Sequence, residues 1–205
     1  MGYFICAIIG YLCGCISPSY LLGKIKKIDL RKSGTNNLGA SNTFINLGRG
    51  WGIFVMFFDI LKSLFAVILC RILYNDVALA PLISGTAAVI GHNYPFYLRF
   101  RGGKGLASFG GFVLAISPVA FAVILALCAC LALLLNYGCV IALLGALIFP
   151  IVAALKFKSI AAFFITMLSS FCVIIKHTEN LRRIRSGEER RLREFISRYV
   201  FKHKN

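Results

Sequence analysis

The stretch that decides the fold runs from Leu106 to Leu135 and reads LASFGGFVLAISPVAFAVILALCACLALLL. It holds no charged residue and is too long for one membrane crossing, because a helix spans a bilayer with about 20 apolar residues. Ser117-Pro118 lies in its middle, and proline removes a helical hydrogen bond and disfavours helix at the residue before it. The stretch therefore predicts two membrane helices joined by a tight turn.

The composition of the whole chain agrees with a membrane protein. Of 205 residues, 59% are hydrophobic and 15% charged, with a mean hydropathy of +0.83, whereas a soluble domain has roughly 25% charged residues. The net charge of +16 requires an acidic partner. Nucleic acid is disfavoured because the basic residues interrupt or follow apolar runs, which leaves anionic membrane lipid and a phosphorylated substrate. The eight cysteines lie in or beside apolar runs and are expected to be packing residues, not disulfides or metal ligands.

Further apolar runs extend the pattern to the rest of the chain. They are Tyr3–Leu22, Gly50–Leu73, Val77–Ile90, Gly138–Leu155 and Ser159–Ile175. We expect an all-α polytopic membrane protein with seven transmembrane helices over residues 1–176. The first run has no basic flank before it and no cleavage pattern after it, so we expect it to be retained. Residues 177–205 are expected to be a basic cytoplasmic segment, whose end from Arg190 onward would lie on anionic lipid as an amphipathic helix.

The basic residues predict the orientation. All but four of the 23 lysines and arginines (Lys62, Arg71, Lys156 and Lys158) fall in or beside loop 23–49, loop 91–105 and the tail. Seven crossings put these three segments on one face, and basic segments stay in the cytoplasm. The sequence thus predicts an outside N-terminus and a cytoplasmic C-terminus. Asp59 and Lys62, three residues apart in one apolar run, are expected to form a structural ion pair.

Three polar segments carry the candidate chemistry. The first, SGTNNLGASN from Ser33 to Asn42, combines glycines with short donors and could surround a phosphate with N–H groups, although such a segment can also be a flexible linker. The second, Gly91–Gly105, ends in Gly102-Gly103-Lys104-Gly105. It lacks the first glycine and the final Ser or Thr of a Walker A motif, but it places a lysine at the start of a helix, where an anion is favoured.

The third polar segment starts at His177, where the last predicted crossing has ended. His177 and Asn180 share one helix face at i and i+3, with Arg183 three residues further on. A histidine at a membrane edge can be a mere polar flank, or it can point at a ligand together with Asn180. Neither His92 nor His177 is followed by the aspartate of a His-x-x-x-x-Asp pair, and no metal-binding or serine-nucleophile motif is present.

Taken together and in order, these segments resemble the bacterial acyl-phosphate:glycerol-3-phosphate acyltransferase family of small seven-helix enzymes of the cytoplasmic membrane. The resemblance covers nearly the whole chain. The matching stretches are Ser17-Pro18 to Lys24, Asn37 to Asn42, Asp59 to Lys62, Gly91 to Pro95, Gly102 to Gly105, and His177 with Asn180, Arg183, Gly187 and Glu189. Compared with the family pattern, Thr35 replaces a serine, Ile45 an arginine, and Cys139 and Ala142 stand where serines are frequent.

The resemblance implies acyl transfer from acyl-phosphate to the 1-hydroxyl of glycerol-3-phosphate, giving lysophosphatidate without a metal or coenzyme. His177, Lys104 and Asn180 are the implied catalytic residues. The implied substrate-binding residues are Thr35, Asn37, Gly39, Asn42, His92, Gly102, Gly103 and Arg183. Such an enzyme mainly aligns two anions and neutralises their charge, and the proton could pass to His177 or to the departing phosphate. A small transporter of a phosphorylated solute and an inactive lipid-binding relative are the alternative readings.

Overall fold

The computed structural model describes the backbone of residues 1–201 and the side chains up to residue 198. This part of the chain is all helical. The helices are α1 (Gly2–Cys15), α2 (Pro18–Ile25), α3 (Ala40–Leu47), α4 (Arg49–Leu73), α5 (Ala80–Asn93), α6 (Leu106–Ile116), α7 (Pro118–Leu135), α8 (Cys139–Phe157), α9 (Ile160–Ser186) and α10 (Leu192–Phe195). A 3₁₀ turn covers Phe96–Leu98, and a π-helical segment follows α10 at Ile196–Phe201.

Five helical segments in the described part are long and apolar enough to cross a membrane. They are Gly2–Ile25, Arg49–Leu73, Pro118–Leu135, Cys139–Phe157 and Ile160–Ser186. The helices α5 and α6 are shorter, at 14 and 11 residues, so their length alone does not carry them across. The count of seven crossings stays a prediction.

The predicted break inside the long apolar stretch is confirmed. Helix α6 ends at Ile116 and α7 begins at Pro118, whose missing N–H costs nothing at the first helical position. The Ser117 hydroxyl caps α7 by accepting a hydrogen bond from the Ala120 N–H at 3.2 Å. The same device breaks the first run, which the sequence predicted as one helix: α1 ends at Cys15, and Ser17 caps α2 ahead of Pro18.

Helix α5 lies inside the bundle and packs against α1, α4, α6 and α9. Most of its residues are buried, so neighbouring helices shield a segment too short to meet both membrane surfaces. Beside it, the rings of Phe109, Phe112 and Phe149 meet edge to face with centroids 5.0–6.4 Å apart. This core fixes α5 and α6, and with them the glycine-rich loop that joins them.

The last long helix extends beyond the apolar run that predicts it. Helix α9 does not end near Ile175; it continues to Ser186, so it passes through the predicted domain boundary at residue 176. The tail is helical from Leu192 to Phe201, while Lys202 and Lys204 lie outside the described residues. Before α10, the chain returns to the α7–α8 turn, where the Leu192 N–H donates to the Asn136 carbonyl at 2.9 Å.

Candidate active site

The longer α9 carries two candidate site residues on the face that it buries. His177 and Asn180 are 4% and 8% exposed, one helical turn apart. Lys104, in the loop before α6, reaches this face, and its ammonium donates to the Asn180 amide oxygen at 2.5 Å. The structure therefore joins two of the predicted catalytic residues, which lie far apart in sequence, and places the third on the adjoining turn.

The hydrogen bonding of His177 defines which of its ring nitrogens is free to act. Its Nδ1 lies 2.8 Å from the Val173 carbonyl oxygen. A carbonyl can only accept a hydrogen bond, so in the neutral ring Nδ1 carries the proton and Nε2 keeps its lone pair. Nε2 of His177 is therefore able to accept a hydrogen bond.

A carboxylate completes the network on the other side of Asn180. The Asn180 amide donates to Glu189 Oε1 at 2.6 Å, and Arg183 Nε donates to Glu189 Oε2 at 2.7 Å. Glu189 reaches back because Gly187 ends α9 with a φ of +76°, a conformation that favours glycine. Glu189 belongs to the family resemblance but has no predicted role. The sequence feature that could have indicated one is Gly187, the glycine two residues earlier that ends the helix and turns the chain back.

The electrostatics of this end favour an anion. Burial, followed by the nearby Arg183 guanidinium, lowers the pKa of Lys104 below that of a solvated lysine. Glu179 and Glu189, which are ion-paired to Arg183 at 2.9 and 2.7 Å, offset part of the repulsion between the two cations. A phosphate beside Lys104 would offset more of it. Cys139, at the start of α8, is close enough to interact with the charges of Lys104, Arg183 and Glu189. One of the positions that departs from the family pattern therefore lies in the neighbourhood of this site.

The polar side chains of the first loop are mostly occupied by the loop itself. Asn42 is fully buried: its oxygen accepts from the Thr35 N–H at 2.7 Å, and its amide nitrogen donates to the carbonyls of Leu30 and Asn37 at 2.7 and 2.9 Å. The Asn37 amide in turn donates to the Thr35 hydroxyl at 2.8 Å. Asn42 organises the loop, and Gly39 is the residue that precedes α3.

The two glycines before Lys104 shape the second loop. The Gly102 N–H donates to the Asn93 carbonyl and the Gly103 N–H to the His92 carbonyl, both at 3.1 Å. A Cβ on Gly103 would stand 2.1 Å from His92 Nε2 and 2.6 Å from the Leu38 carbonyl oxygen. Only a glycine allows the two loops and the end of α5 to approach this closely.

His92 lies against the Asp59–Lys62 ion pair. It is 7% exposed, and its Nδ1 lies 3.0 Å from Lys62 Nζ and 3.3 Å from Asp59 Oδ1. The predicted Asp59–Lys62 ion pair is confirmed, with 2.7 Å between Nζ and Oδ1. Asn93, which lies in the matching stretch Gly91 to Pro95 without an assigned role, is fully buried against Gly105, and its amide has no partner among the described residues.

The described residues contain no group of three or more His, Cys, Asp or Glu side chains placed to hold a metal ion. What they bring together is an ammonium, an amide, an imidazole and a guanidinium, at one end of a helical bundle with membrane-spanning character. That combination suits a membrane enzyme that binds phosphorylated substrates.

Comparison with known proteins agrees with this class. The sequence profile of a family described as glycerol-3-phosphate acyltransferase matches residues 4–187. The chain is 35% identical over 187 residues to the glycerol-3-phosphate acyltransferase of Thermoanaerobacter pseudethanolicus, covering 91% of this chain and 93% of that one. It is 38% identical over 183 residues to that of Macrococcus caseolyticus, covering 89% and 93%.

Solved structures show the same relationship. The fold matches the crystal structure of PlsY (YgiH), an integral membrane glycerol 3-phosphate acyltransferase in its glycerol 3-phosphate form, with a TM-score of 0.85 and 27% identity over 93% of this chain and 96% of that one. The lysophosphatidic acid form matches with a TM-score of 0.84 and 26% identity over 97% and 100%. The chain belongs to the glycerol-3-phosphate acyltransferase family and is an integral membrane acyltransferase of phospholipid synthesis.

Proposed function

We propose that the enzyme takes its acyl group from acyl-phosphate and transfers it to the 1-hydroxyl of glycerol-3-phosphate at the Lys104–Asn180–His177 site. The observation that carries this proposal is the ammonium of Lys104 held on Asn180, one helical turn from a histidine whose Nε2 is an acceptor. Both substrates are phosphate anions, and acyl-phosphate is already activated. Alignment and charge neutralisation are therefore the main contributions required of the protein.

Each catalytic residue has a distinct role in this proposal. Lys104 binds a phosphate group as a point charge at the start of α6, where the first-turn N–H groups add to its effect. His177 Nε2 accepts the hydrogen bond of the attacking hydroxyl and orients it, and the proton then passes to this nitrogen or to the departing phosphate. Asn180 holds Lys104 and, with Arg183, is set by Glu189.

The substrate-binding part rests on the two loops and Arg183. In the first loop the Thr35 hydroxyl donates a hydrogen bond to a substrate oxygen, and the Asn37 amide orients that hydroxyl by donating to it, while Asn42 and Gly39 set the loop's shape. Gly102 and Gly103 allow the second loop to pack against the first, and the His92 carbonyl accepts a hydrogen bond from Gly103. The Arg183 guanidinium, bound to Glu189, adds positive charge for the phosphate.

The orientation in the membrane follows from the same site. We propose seven crossings in the cytoplasmic membrane, with the short α5 and α6 completed by the loops at their ends, and with Lys104 and His177 on the cytoplasmic side. The basic tail then lies at the anionic lipid of the inner leaflet. Its Arg193 side chain donates to the Leu133 carbonyl at 3.2 Å, near the end of α7, which supports a tail held close to the helices.

The donor is tested with purified protein, glycerol-3-phosphate and palmitoyl-phosphate in a phosphate-release assay. We expect phosphate release that depends on glycerol-3-phosphate, with lysophosphatidate as the second product. Palmitoyl-CoA is expected to give no product, because the chain lacks the His-x-x-x-x-Asp motif of the familiar glycerolipid acyltransferases. Efficient turnover of palmitoyl-CoA without any response to palmitoyl-phosphate would show the donor assignment to be wrong.

The orientation is tested by cysteine labelling. A cysteine at Asn75, in the turn between α4 and α5, should react with an impermeant maleimide on intact cells. A cysteine at Ser186, at the end of α9, should react only after permeabilisation. Both are introduced into a chain whose exposed Cys130 has been replaced by alanine. The reverse pattern of labelling would mean that the topology is inverted.

A further inference from the structure

The ammonium of Lys62 is buried where α4 meets α5 and the break between α1 and α2. It is 6% exposed and lies in the middle of α4. Three acceptors surround Nζ: Asp59 Oδ1 at 2.7 Å, the Ile16 carbonyl oxygen at 2.7 Å and His92 Nδ1 at 3.0 Å. An ammonium has three N–H donors and no acceptor, and two of them form hydrogen bonds, to Ile16 and His92. The contact with Asp59 is an ion pair by distance, and Asp59 Oδ1 has no hydrogen bond among the described residues. The carboxylate therefore offsets the buried charge without using a third well-aligned donor.

These contacts fix the protonation of the His92 ring. Since Lys62 can only donate, Nδ1 must accept, and a proton on Nδ1 would collide with the ammonium at 3.0 Å. Nδ1 also lies 3.3 Å from Asp59 Oδ1, but that longer contact cannot be a hydrogen bond if Nδ1 is an acceptor. The neutral ring therefore carries its proton on Nε2.

Nε2 is the ring atom that faces the active-site loop. It lies where a Cβ on Gly103 would come within 2.1 Å, next to the Leu38 carbonyl oxygen of the first loop. The His92 carbonyl also accepts the Gly103 N–H at 3.1 Å. The His92 carbonyl thus binds the Gly103 N–H, and the His92 ring leaves no space for a side chain at Gly103, the residue before Lys104.

The other hydrogen bond of the ammonium lies at the break between α1 and α2. Ile16 stands between Cys15, where α1 ends, and Ser17, which caps α2. Through Ile16 and His92, the ammonium connects the start of α2 with the end of α5. Helix α2 in turn contacts α3 of the first loop, since the hydroxyls of Ser19 and Thr43 are 2.9 Å apart.

We propose that Lys62 is a positioning residue for acyl transfer. By fixing the ring and tautomer of His92, it sets the position of the Gly103–Lys104 turn relative to the first loop. The proposal rests on the proposed function in that Lys104 binds the phosphate. A positioning role differs from that of an ion pair that only stabilises the bundle. Apolar residues of similar volume often replace such a stabilising ion pair without loss. The hydrogen bonds to Ile16 and His92, on two other segments of the chain, instead define a geometry.

The test compares three variants in detergent-purified protein. Lys62→Met removes the ammonium alone and leaves Asp59 buried and unpaired, so we expect it to be the least stable of the three. Asp59→Asn combined with Lys62→Met removes both charges and is the principal variant. Arg71→Met is the matched control, because Arg71 is also a cation of α4 but lies in its last turn. Its Nη2 donates to the Ala115 carbonyl.

The kinetic readout is the KM for glycerol-3-phosphate alongside kcat. For the double variant we expect normal folding, a KM raised about tenfold and a smaller fall in kcat, because the phosphate site is displaced while the reacting groups remain. Arg71→Met should keep both within twofold. A double variant that folds and keeps both constants within twofold of the parent would reduce Lys62 to a structural role and overturn the proposal.

A second readout needs no turnover. In ¹⁵N-histidine-labelled parent protein, the His92 ring should show a protonated Nε2 and an unprotonated Nδ1, with signals assigned from a His92→Gln variant. The double variant should lose this single tautomer. A protonated Nδ1 in the parent would overturn the proposal even in an active enzyme. Conversely, the predicted tautomer in a protein that ignores acyl-phosphate would leave the Lys62–His92 contact standing while the proposed donor fails.

Discussion

The first loop, residues 33–42, and the second, residues 99–105, meet beside Lys104 but are held in different ways. The first is held by amide side chains, with Asn42 bonded to Thr35, Leu30 and Asn37. The second is held by its backbone, through the N–H groups of Gly102 and Gly103. Both sequences are rich in glycine and both predict a phosphate site, yet they use their polar groups differently.

The difference shows where functional groups remain available. In the first loop, a pattern of asparagines that resembles a set of ligands is largely spent on folding the loop, since buried amides must be bonded. In the second, glycines accept close packing and leave the Lys104 side chain to reach Asn180. Density of polar residues in a loop therefore does not measure its part in binding. The following predictions test this division.

The largest expected effect is on stability, from Asn42→Ala. The substitution leaves the Thr35 N–H and the Leu30 carbonyl without their partner in a buried place, and each such group costs about 1–3 kcal/mol. We expect the free energy of unfolding to fall by about 3 kcal/mol, measured by denaturant titration in detergent. Asn37→Ala, at a half-buried position, should cost less than about 1 kcal/mol. Equal losses in the two variants would contradict the central role of Asn42.

Lys104→Ala should act on catalysis and leave stability nearly unchanged. Removing a hydrogen bond to a charged group costs about 1.5–3 kcal/mol, and about 1.4 kcal/mol is a factor of ten. We expect kcat/KM for glycerol-3-phosphate to fall at least roughly tenfold in the phosphate-release assay. Lys104→Arg should recover little, because a planar fork does not replace a compact ammonium.

Arg99→Ala is the control for Lys104, since Arg99 is an exposed cation of the same loop. Its effect on kcat/KM should be much smaller. If the two alanine variants behave alike, the loop contributes only general positive charge. If Lys104→Ala keeps near-parental activity in a folded preparation, Lys104 does not bind phosphate.

The last comparison separates the two loops by adding one methyl group to each. Gly103→Ala places a Cβ against His92 Nε2 and the Leu38 carbonyl, so backbone must move, and overpacking of this kind costs about 1–3 kcal/mol. In Gly39→Ala the nearest atom is the Asn37 side-chain oxygen at 3.0 Å, which can rotate away. We expect a measurable fall in unfolding midpoint and a raised KM for Gly103→Ala, and neither for Gly39→Ala. A Gly39→Ala variant as damaged as Gly103→Ala would show that the first loop is as tightly fitted as the second.

The helix pattern was predictable wherever a single residue controls the backbone. Pro118 ends α6 and starts α7 as the sequence predicts, because its effect is local. Ser17-Pro18 is the same pair of residues and divides the first apolar run between α1 and α2, although that run is predicted as one helix. The end of α9 was missed because hydropathy falls after Ile175 while the helix continues to Gly187, where a positive φ ends it. Polarity marks the membrane edge, not the end of a helix.

The sequence by itself determined the membrane class and the helical architecture, because apolar length, charge and helical spacing are local properties of the chain. It also predicted His177, Asn180 and Lys104 as site residues, through its polar segments and the family resemblance, and their catalytic roles stay a prediction. Only the tertiary structure decided which polar groups are spent and which remain. It brought Lys104 to Asn180, gave Glu189 its place, buried Asn42 in the first loop and gathered Asp59, Lys62 and His92 into one cluster. Hydrogen bonds between segments far apart in sequence depend on how the helices pack, and no local pattern encodes that packing.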